Sequence, residues 1–575
     1  MNIIYGFDEK ELLVKVHTGS ANEIYHTKLA DSDVHIISNS SAYASDIIIN
    51  KKNYELGEKI FKKIILLQDK NPESDTYGLW PWYMEETLEE MDCPDFNMAD
   101  FNSKEMIVSI LEEGENLKPD IKDMMIESIE RACRCIIKRN MGVQYTNVCI
   151  TDCFVTVAAG EICNISEFVE YGKNKLKKFV YYNKGHGSIS EYNSPTYSIL
   201  AINDVGDFFK YIKNSEILKF AHEANDILWG MIAEHFDYNT LQLNGPQERA
   251  YSDYVGIDFL KTIGEGTGID YTKHPKFDKY FSNKQSYYKK TRRTPVCPPE
   301  YIPYFSGEKE FKYIRKMISD GFNYPYFEFP KALTLYKGNG YSIGTINRSE
   351  MWNQRRPLLG YIYNDDRDIC FRVKCLHDGF DFSSADLHCV HDKSDILAAI
   401  NFSENRGDTH VDIDKISNGI FYAEDLRIVF EFSGDTSKIK HKIENNILNV
   451  EINGTKMRIN PFIREFGGAD AETKIEVDDK KLSYSIILYS GERKKIDLHK
   501  EGKTFSAFTV EFESDREYIA PEYTYDGDFV TIKWKPDEDE LGLKLLTKAD
   551  KFIRNMSEDV QMINGEEIFK ELFNN

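Results

Sequence analysis

Ala332-Leu-Thr-Leu-Tyr336, Lys337-Gly-Asn-Gly340 and Tyr341-Ser-Ile-Gly-Thr-Ile346 make up the stretch at which the chain changes period. Two alternating runs around a Gly-Asn-Gly turn are a hairpin signature. Further alternating runs follow at 358–363, 369–375, 419–433, 446–453, 473–489, 504–513 and 528–534. This density of short strands predicts an antiparallel sandwich over 333–545.

Upstream the period is helical. In Asp120–Lys138 the apolar residues Ile121, Met124, Met125, Ile129, Ala132, Cys133, Ile136 and Ile137 recur at spacings of three and four. Pro119 precedes them, where a missing N–H costs nothing. Ser215–His235 repeats the pattern, as do 54–68, 104–117, 147–161, 165–181 and 196–212. Short Gly-, Asn- or Pro-containing turns join these segments, which places successive helices antiparallel. The expected fold is a multidomain α and β chain. A helical (α/α) toroid over 1–290 is followed by a linker over 291–332, then the sandwich and a helical tail over 546–575.

The 575 residues carry a net charge of −23. A charge of that sign repels nucleic acid and anionic membranes, so neither is an expected partner. With 35 Tyr, 35 Phe and 5 Trp the chain has ample material for packed cores. The start Met1–Asp8 lacks a basic, then apolar, export signal, which reads as a cytoplasmic protein. No window approaches the roughly 20 apolar residues of a membrane span. The ten cysteines include no Cys-x-x-Cys pair, and Cys133, Cys135, Cys149 and Cys153 read as buried helical thiols. No motif calls for a cofactor or a metal.

Three segments carry candidate chemistry. In Gly185-His-Gly-Ser-Ile-Ser-Glu-Tyr-Asn-Ser-Pro-Thr-Tyr197, Ser194 and Pro195 suit the start of a helix. Asn193 then stands just ahead of free backbone N–H groups able to hold an oxyanion; the alternative is a plain cap with Glu191, Tyr192 and Asn193 decorating a loop. In Asn244-Gly-Pro-Gln-Glu-Arg-Ala-Tyr-Ser-Asp-Tyr254, Arg249 suits a carboxylate and Tyr251 or Tyr254 a proton relay; the alternative is a rim loop. Tyr77-Gly-Leu-Trp-Pro-Trp-Tyr83 places Trp80, Trp82 and Tyr83 beside Glu85 and Glu86, as a sugar platform or a core staple. His222, on the Ser215–His235 helix, and His186, in the loop before Asn193, are further candidates.

Glu191-Tyr-Asn-Ser-Pro-Thr-Tyr197 and Gly245-Pro-Gln-Glu-Arg-Ala-Tyr251 in a helical half, then Tyr341-Ser-Ile-Gly-Thr-Ile-Asn-Arg-Ser-Glu-Met-Trp-Asn-Gln-Arg-Arg-Pro357 in a β-half, form a combination that resembles the heparinase II/III and alginate-lyase type of polysaccharide lyase. The resemblance implies β-elimination on a uronate-containing oligo- or polysaccharide. Asn193 and Arg249 would neutralise the uronate carboxylate, Tyr197 and Tyr251 would act as base and acid, and His186 or His222 would assist. Trp80, Trp82, Tyr83, Tyr192, Tyr254, Trp352, Asn353 and Arg355 would contact substrate. Arg292, Arg293, Arg355 and Arg356 are expected sources of local positive charge. Two other readings stand beside it. One is a glycoside hydrolase with Glu191 as general acid and Asp253, Asp100 or Glu85 as base. The other is a carbohydrate-binding scaffold using Trp80, Trp82 and Trp352. Oligomeric state and sugar identity are left open.

Overall fold

The computed structural model describes residues 3–19, 26–282, 284–288, 292, 294–320, 329–407 and 418–570. The chain divides into two compact units: Met1–Lys184 with Leu200–Leu228 and Lys289–Val296, and Gly185–Ile199 with Trp229–Tyr288 and Cys297–Asn575.

The first unit opens with an antiparallel sheet of Ile3–Asp8, Leu13–His17 and Asp33–Ile36, which the periodicity did not reveal. Helices Ile37–Ile49, Tyr54–Leu66, Asn97–Glu113, Pro119–Arg139 and Thr146–Cys163 follow. Each packs on the next or the next but one, the arrangement an (α/α) toroid uses. Pro119–Arg139 has its proline in the first turn, Asp120 at its positive end, Lys138 and Arg139 at its negative end, and Asn140 as a left-handed cap at φ 46°. Thr146–Cys163 is long and apolar enough to cross a membrane, yet most of it is buried inside the fold. Cys133, Cys135, Cys149 and Cys153 are buried on these helices, as expected.

The second unit is strand-rich, so the helical N-terminal part gives way to an antiparallel C-terminal part. One sheet runs in the order Glu472–Val477, Lys481–Asp497, Ile420–Ser433, Ile369–His377, Leu358–Ile362, Tyr341–Ile346, Phe329–Gly338, Tyr313–Asp320. A second runs Ile439–Glu444, Ile447–Ile452, Thr455–Phe466, Ser506–Phe512, Asp395–Phe402, Ala385–Asp392, Ser349–Glu350. Their facing residues share one core, in which Tyr341 stacks on Phe512 at 4.3 Å and Phe430 meets Phe508 edge-on at 4.8 Å. The other face of the second sheet is not solvated. Val390, Leu397, Ala399 and Ala507 pack there against Val530, Ile532, Trp534 and Leu543 of a five-stranded sheet.

Two element readings are corrected. The stretch 291–332, expected as linker, carries the short helix Ile302–Phe305 and the edge strand Tyr313–Asp320. The tail, expected as helix, holds the helix Phe552–Glu558 but also the strands Val560–Ile563 and Glu566–Glu567.

Candidate active site

The turn after helix Ser166–Gly185 is held from within. Ser194 Oγ accepts from the Tyr197 N–H at 3.0 Å, so it starts the helix Tyr197–Tyr211 as expected. Asn193, fully buried at φ 51°, occupies the left-handed region that Asn tolerates best among residues with a Cβ. Its amide donates to the carbonyls of Asn244 at 2.6 Å and Pro246 at 2.7 Å, and the Gly245–Pro246 peptide is cis. Glu248 N–H donates to the Tyr192 carbonyl at 3.0 Å. The turn and the Arg–Tyr loop fifty residues later therefore meet.

Behind this junction lies a pair that sequence reasoning missed. His235 ends the helix Ser215–His235 and is completely buried. Its Nδ1 lies 3.1 Å from the Asn244 carbonyl, which can only accept, so Nδ1 carries the proton. Nε2 then accepts from the Tyr192 hydroxyl at 2.6 Å. Burial, then the charges of Lys316 and Lys337, push the His235 pKa well below its ordinary value, and burial pushes Tyr192 well above its own. The available signal was position: His235 is the last helical residue before the loop.

In front of the junction the geometry differs. Arg249 donates through Nη1 to Glu191 Oε1 at 2.5 Å and through Nε to Gln354 Oε1 at 3.0 Å. Its guanidinium lies 4.0 Å from the Tyr197 ring centre. The Tyr197 and Tyr251 hydroxyls are 2.6 Å apart, and Tyr251 is 55% exposed. The loop is backed by the segment 347–357. Gln247 and Arg356 exchange backbone bonds of 3.1 and 2.7 Å, and Ala250 N–H donates to the Gln354 carbonyl at 2.6 Å. Half-buried Trp352 and exposed Asn353 stand on that segment.

The remaining expected residues serve other ends. Asn193 has spent both amide hydrogens on backbone carbonyls, which corrects its neutralising role. Tyr192 is buried on His235 rather than presented to a ligand. Arg355 is buried in a 2.6 Å pair with Glu248, and Tyr254 donates to the carbonyls of Asp368 and Ser433, so neither is the expected substrate contact. His186 is half-buried, with its carbonyl accepting from Ser319 N–H at 3.1 Å.

Four candidates belong to the first unit. Trp80 and Tyr83 are fully buried, and Trp80 Nε1 donates to the Ile64 carbonyl at 2.9 Å. Trp82 donates to Asp95 and packs on His26. That segment is a core staple and not a sugar platform. His222 is exposed and stacks on Phe209 at 4.5 Å. The expected basic residues are also committed: Arg292 to Asp207 at 3.0 Å, and Arg356 to Asp253 at 3.4 Å. Burial, then the Arg372 charge, lowers Arg356 to about 10. Arg293 lies outside the described residues.

Residues 12–261 match a family model described as a domain of unknown function, DUF8769. No curated protein matches the chain. Among solved structures, the chain is similar to heparinase III, with 10% identity and a TM-score of 0.43 over 88% of this chain and 82% of that one. It is similar to the chondroitin AC lyase of Streptomyces coelicolor A3, with 6% identity and a TM-score of 0.45 over 89% and 84%. It is also similar to a GH127 β-arabinofuranosidase, with 11% identity and a TM-score of 0.25 over 82% and 86%. Likenesses this distant say nothing of chemistry.

Proposed function

We propose that the chain is a carbohydrate-active enzyme, a lyase cleaving a uronate-containing oligo- or polysaccharide by β-elimination, with its reaction centre at Tyr251. The observation that carries this reading is the exposed Tyr251 hydroxyl, 2.6 Å from that of Tyr197, whose ring lies 4.0 Å from the Arg249 guanidinium. A C5 proton beside a uronate carboxylate is too weak an acid until charge can delocalise into an enolate-like state. With the Asn193 amide engaged, Arg249, 8% exposed and paired with Glu191, is the cation assigned to that charge. Tyr251 acts as the base toward the C5 proton, and Tyr197 donates a hydrogen bond to its oxygen. The C4–O4 bond then breaks, the C4–C5 double bond forms, and the departing O4 receives the proton.

Hydrolysis has less support. Glu191 is buried on Arg249, and Asp253 accepts from Arg372 at 2.8 Å. Asp100 and Glu85 belong to the other unit, where Asp100 is fully buried on Arg139 and Glu85 holds His35 at 2.6 Å. A purely binding role loses Trp80 to the core and has Trp82 tied to Asp95, leaving Trp352.

Elimination leaves an unsaturated sugar that absorbs in the ultraviolet, and hydrolysis does not. The expected outcome over a panel of acidic and neutral glycans is rising absorbance with a uronate substrate, abolished by Tyr251→Phe. Reducing ends released without absorbance would replace the lyase reading with the hydrolase one.

A further inference from the structure

A pocket of about 340 Å³ in the first unit lies where the loop 140–143 meets the helix Ser166–Gly185. Tyr171, Asn174, Lys175 and Lys178 line it at spacings of three and four along one helix face, with Asn140 and Met141 opposite. Its volume is at the lower end of small-ligand sites, roughly 300–1,000 Å³. In a chain of net charge −23, the described lining holds two lysines and no carboxylate.

The polar groups are ordered toward donation. Lys175, 5% exposed, is anchored on Asp152 and donates to the Tyr171 hydroxyl oxygen at 2.9 Å. Tyr171 passes its own hydrogen to Asn140 Oδ1 at 3.2 Å, which leaves the Asn140 amide hydrogens to donate. Behind Lys175, Arg139 bridges Asp152 at 2.7 Å and Asp100 at 3.0 Å. Burial, then the Asp152 charge beside it, pushes the Asp100 carboxyl well above its ordinary range and favours its neutral form. Beneath the pocket the cations Arg139 and Lys175 are matched by the carboxylates Asp152 and Asp100, and Lys178 adds a positive charge at the rim. Met141 and Val143 supply apolar wall.

We propose that this pocket is an oxyanion-binding site for a sulfate-bearing sugar, held by Lys178 and the Asn140 amide. Its sugar half rests on the function proposed above, and its oxyanion half does not.

Calorimetric titration of the full chain with glucose 6-sulfate, glucose and inorganic sulfate tests both halves. Saturable binding of the sulfated sugar is expected, tighter than either other probe. Lys178→Gln should weaken it about tenfold, the loss of one charge-assisted hydrogen bond. Asn140→Gly, which keeps the left-handed cap while removing the amide, should weaken it similarly. No binding, glucose binding as tightly, or wild-type affinity in both variants overturns the site. Inorganic sulfate binding as tightly as the sulfated sugar overturns the sugar half. The readout is independent of turnover, so a Tyr251→Phe protein that binds normally separates failure of the oxyanion-binding site from failure of the lyase reading.

Discussion

Tyr192 and Tyr251 stand on opposite sides of one loop junction, and each makes a 2.6 Å hydrogen bond. Tyr192 is fully buried against neutral His235, and its hydroxyl is pushed well above its ordinary pKa. Tyr251 is 55% exposed, beside a second phenol whose ring lies 4.0 Å from the Arg249 guanidinium. Residue type and bond length are the same, and Tyr192 has a cation over its own ring, Lys316 at 5.2 Å, so solvent access is what separates a structural tyrosine from the one proposed to react. The sharpest way to break this contrast is to remove each hydroxyl in turn. Tyr251→Phe should lower turnover by about 10²–10⁴, the usual worth of a general acid–base group, with an unchanged melting temperature. Tyr192→Phe should lower stability and leave the uronate reaction running. Equal loss of turnover in both variants would erase the distinction.

Arg249 joins a half-buried partner to a buried one, since it touches the Tyr197 ring and also Glu191, only 1% exposed. Arg249→Met strands a buried carboxylate, and denaturant unfolding should report a loss of about 3–5 kcal/mol. Adding Glu191→Gln should recover much of that loss without restoring activity. Recovery of both together would mean that the cation acts only through Glu191.

Asn193 tests the buried side. Asn193→Ala removes the donor to the Pro246 carbonyl, at about 1–3 kcal/mol, while the Asn244 carbonyl keeps its bond from His235. Alanine at φ 51° adds about 1–2 kcal/mol of backbone strain. Asn193→Gly should avoid that second cost and unfold at a higher denaturant concentration. An order of stability reversed between the two would show that backbone strain is not what Asn193 relieves.

The same contrast explains what the sequence disclosed. Helices such as Pro119–Arg139 bury one stripe, so their spacing was plain. Ala385–Asp392 and Asp395–Phe402 escaped notice because the sheet is covered on both faces. Ile396, Ala398 and Ile400 enter one core while Leu397 and Ala399 enter the other, and alternation vanishes. At the site, polar residues interrupting the helical pattern marked the Asn193 turn and the Arg249 loop separately, and only the resemblance brought the two together. Which of those residues face solvent was not legible. Trp80 and Tyr83 read as readily as a platform as a core, because composition does not say which way a ring points.

His235 gives the smallest effect per unit of the variable and the cleanest sign. Its folded pKa is depressed, so below the ordinary histidine value of about 6.5 the unfolded chain takes up a proton that the folded chain refuses. Stability should therefore fall as pH drops from about 6.5 toward the folded value, by about 1.4 kcal/mol per pH unit for this one proton. Above that window His235 is neutral in both states and contributes no slope. His391, buried and lowered to about 4, adds a like slope from the sandwich and supplies an internal comparison. In a wild-type and His235→Asn pair followed by denaturant midpoint between pH 7 and 5, the variant should be less stable at pH 7 but lose less on acidification. The His391 slope should remain in both. Parallel curves would mean that His235 is already charged in the fold, and Tyr192 could not then donate to its Nε2.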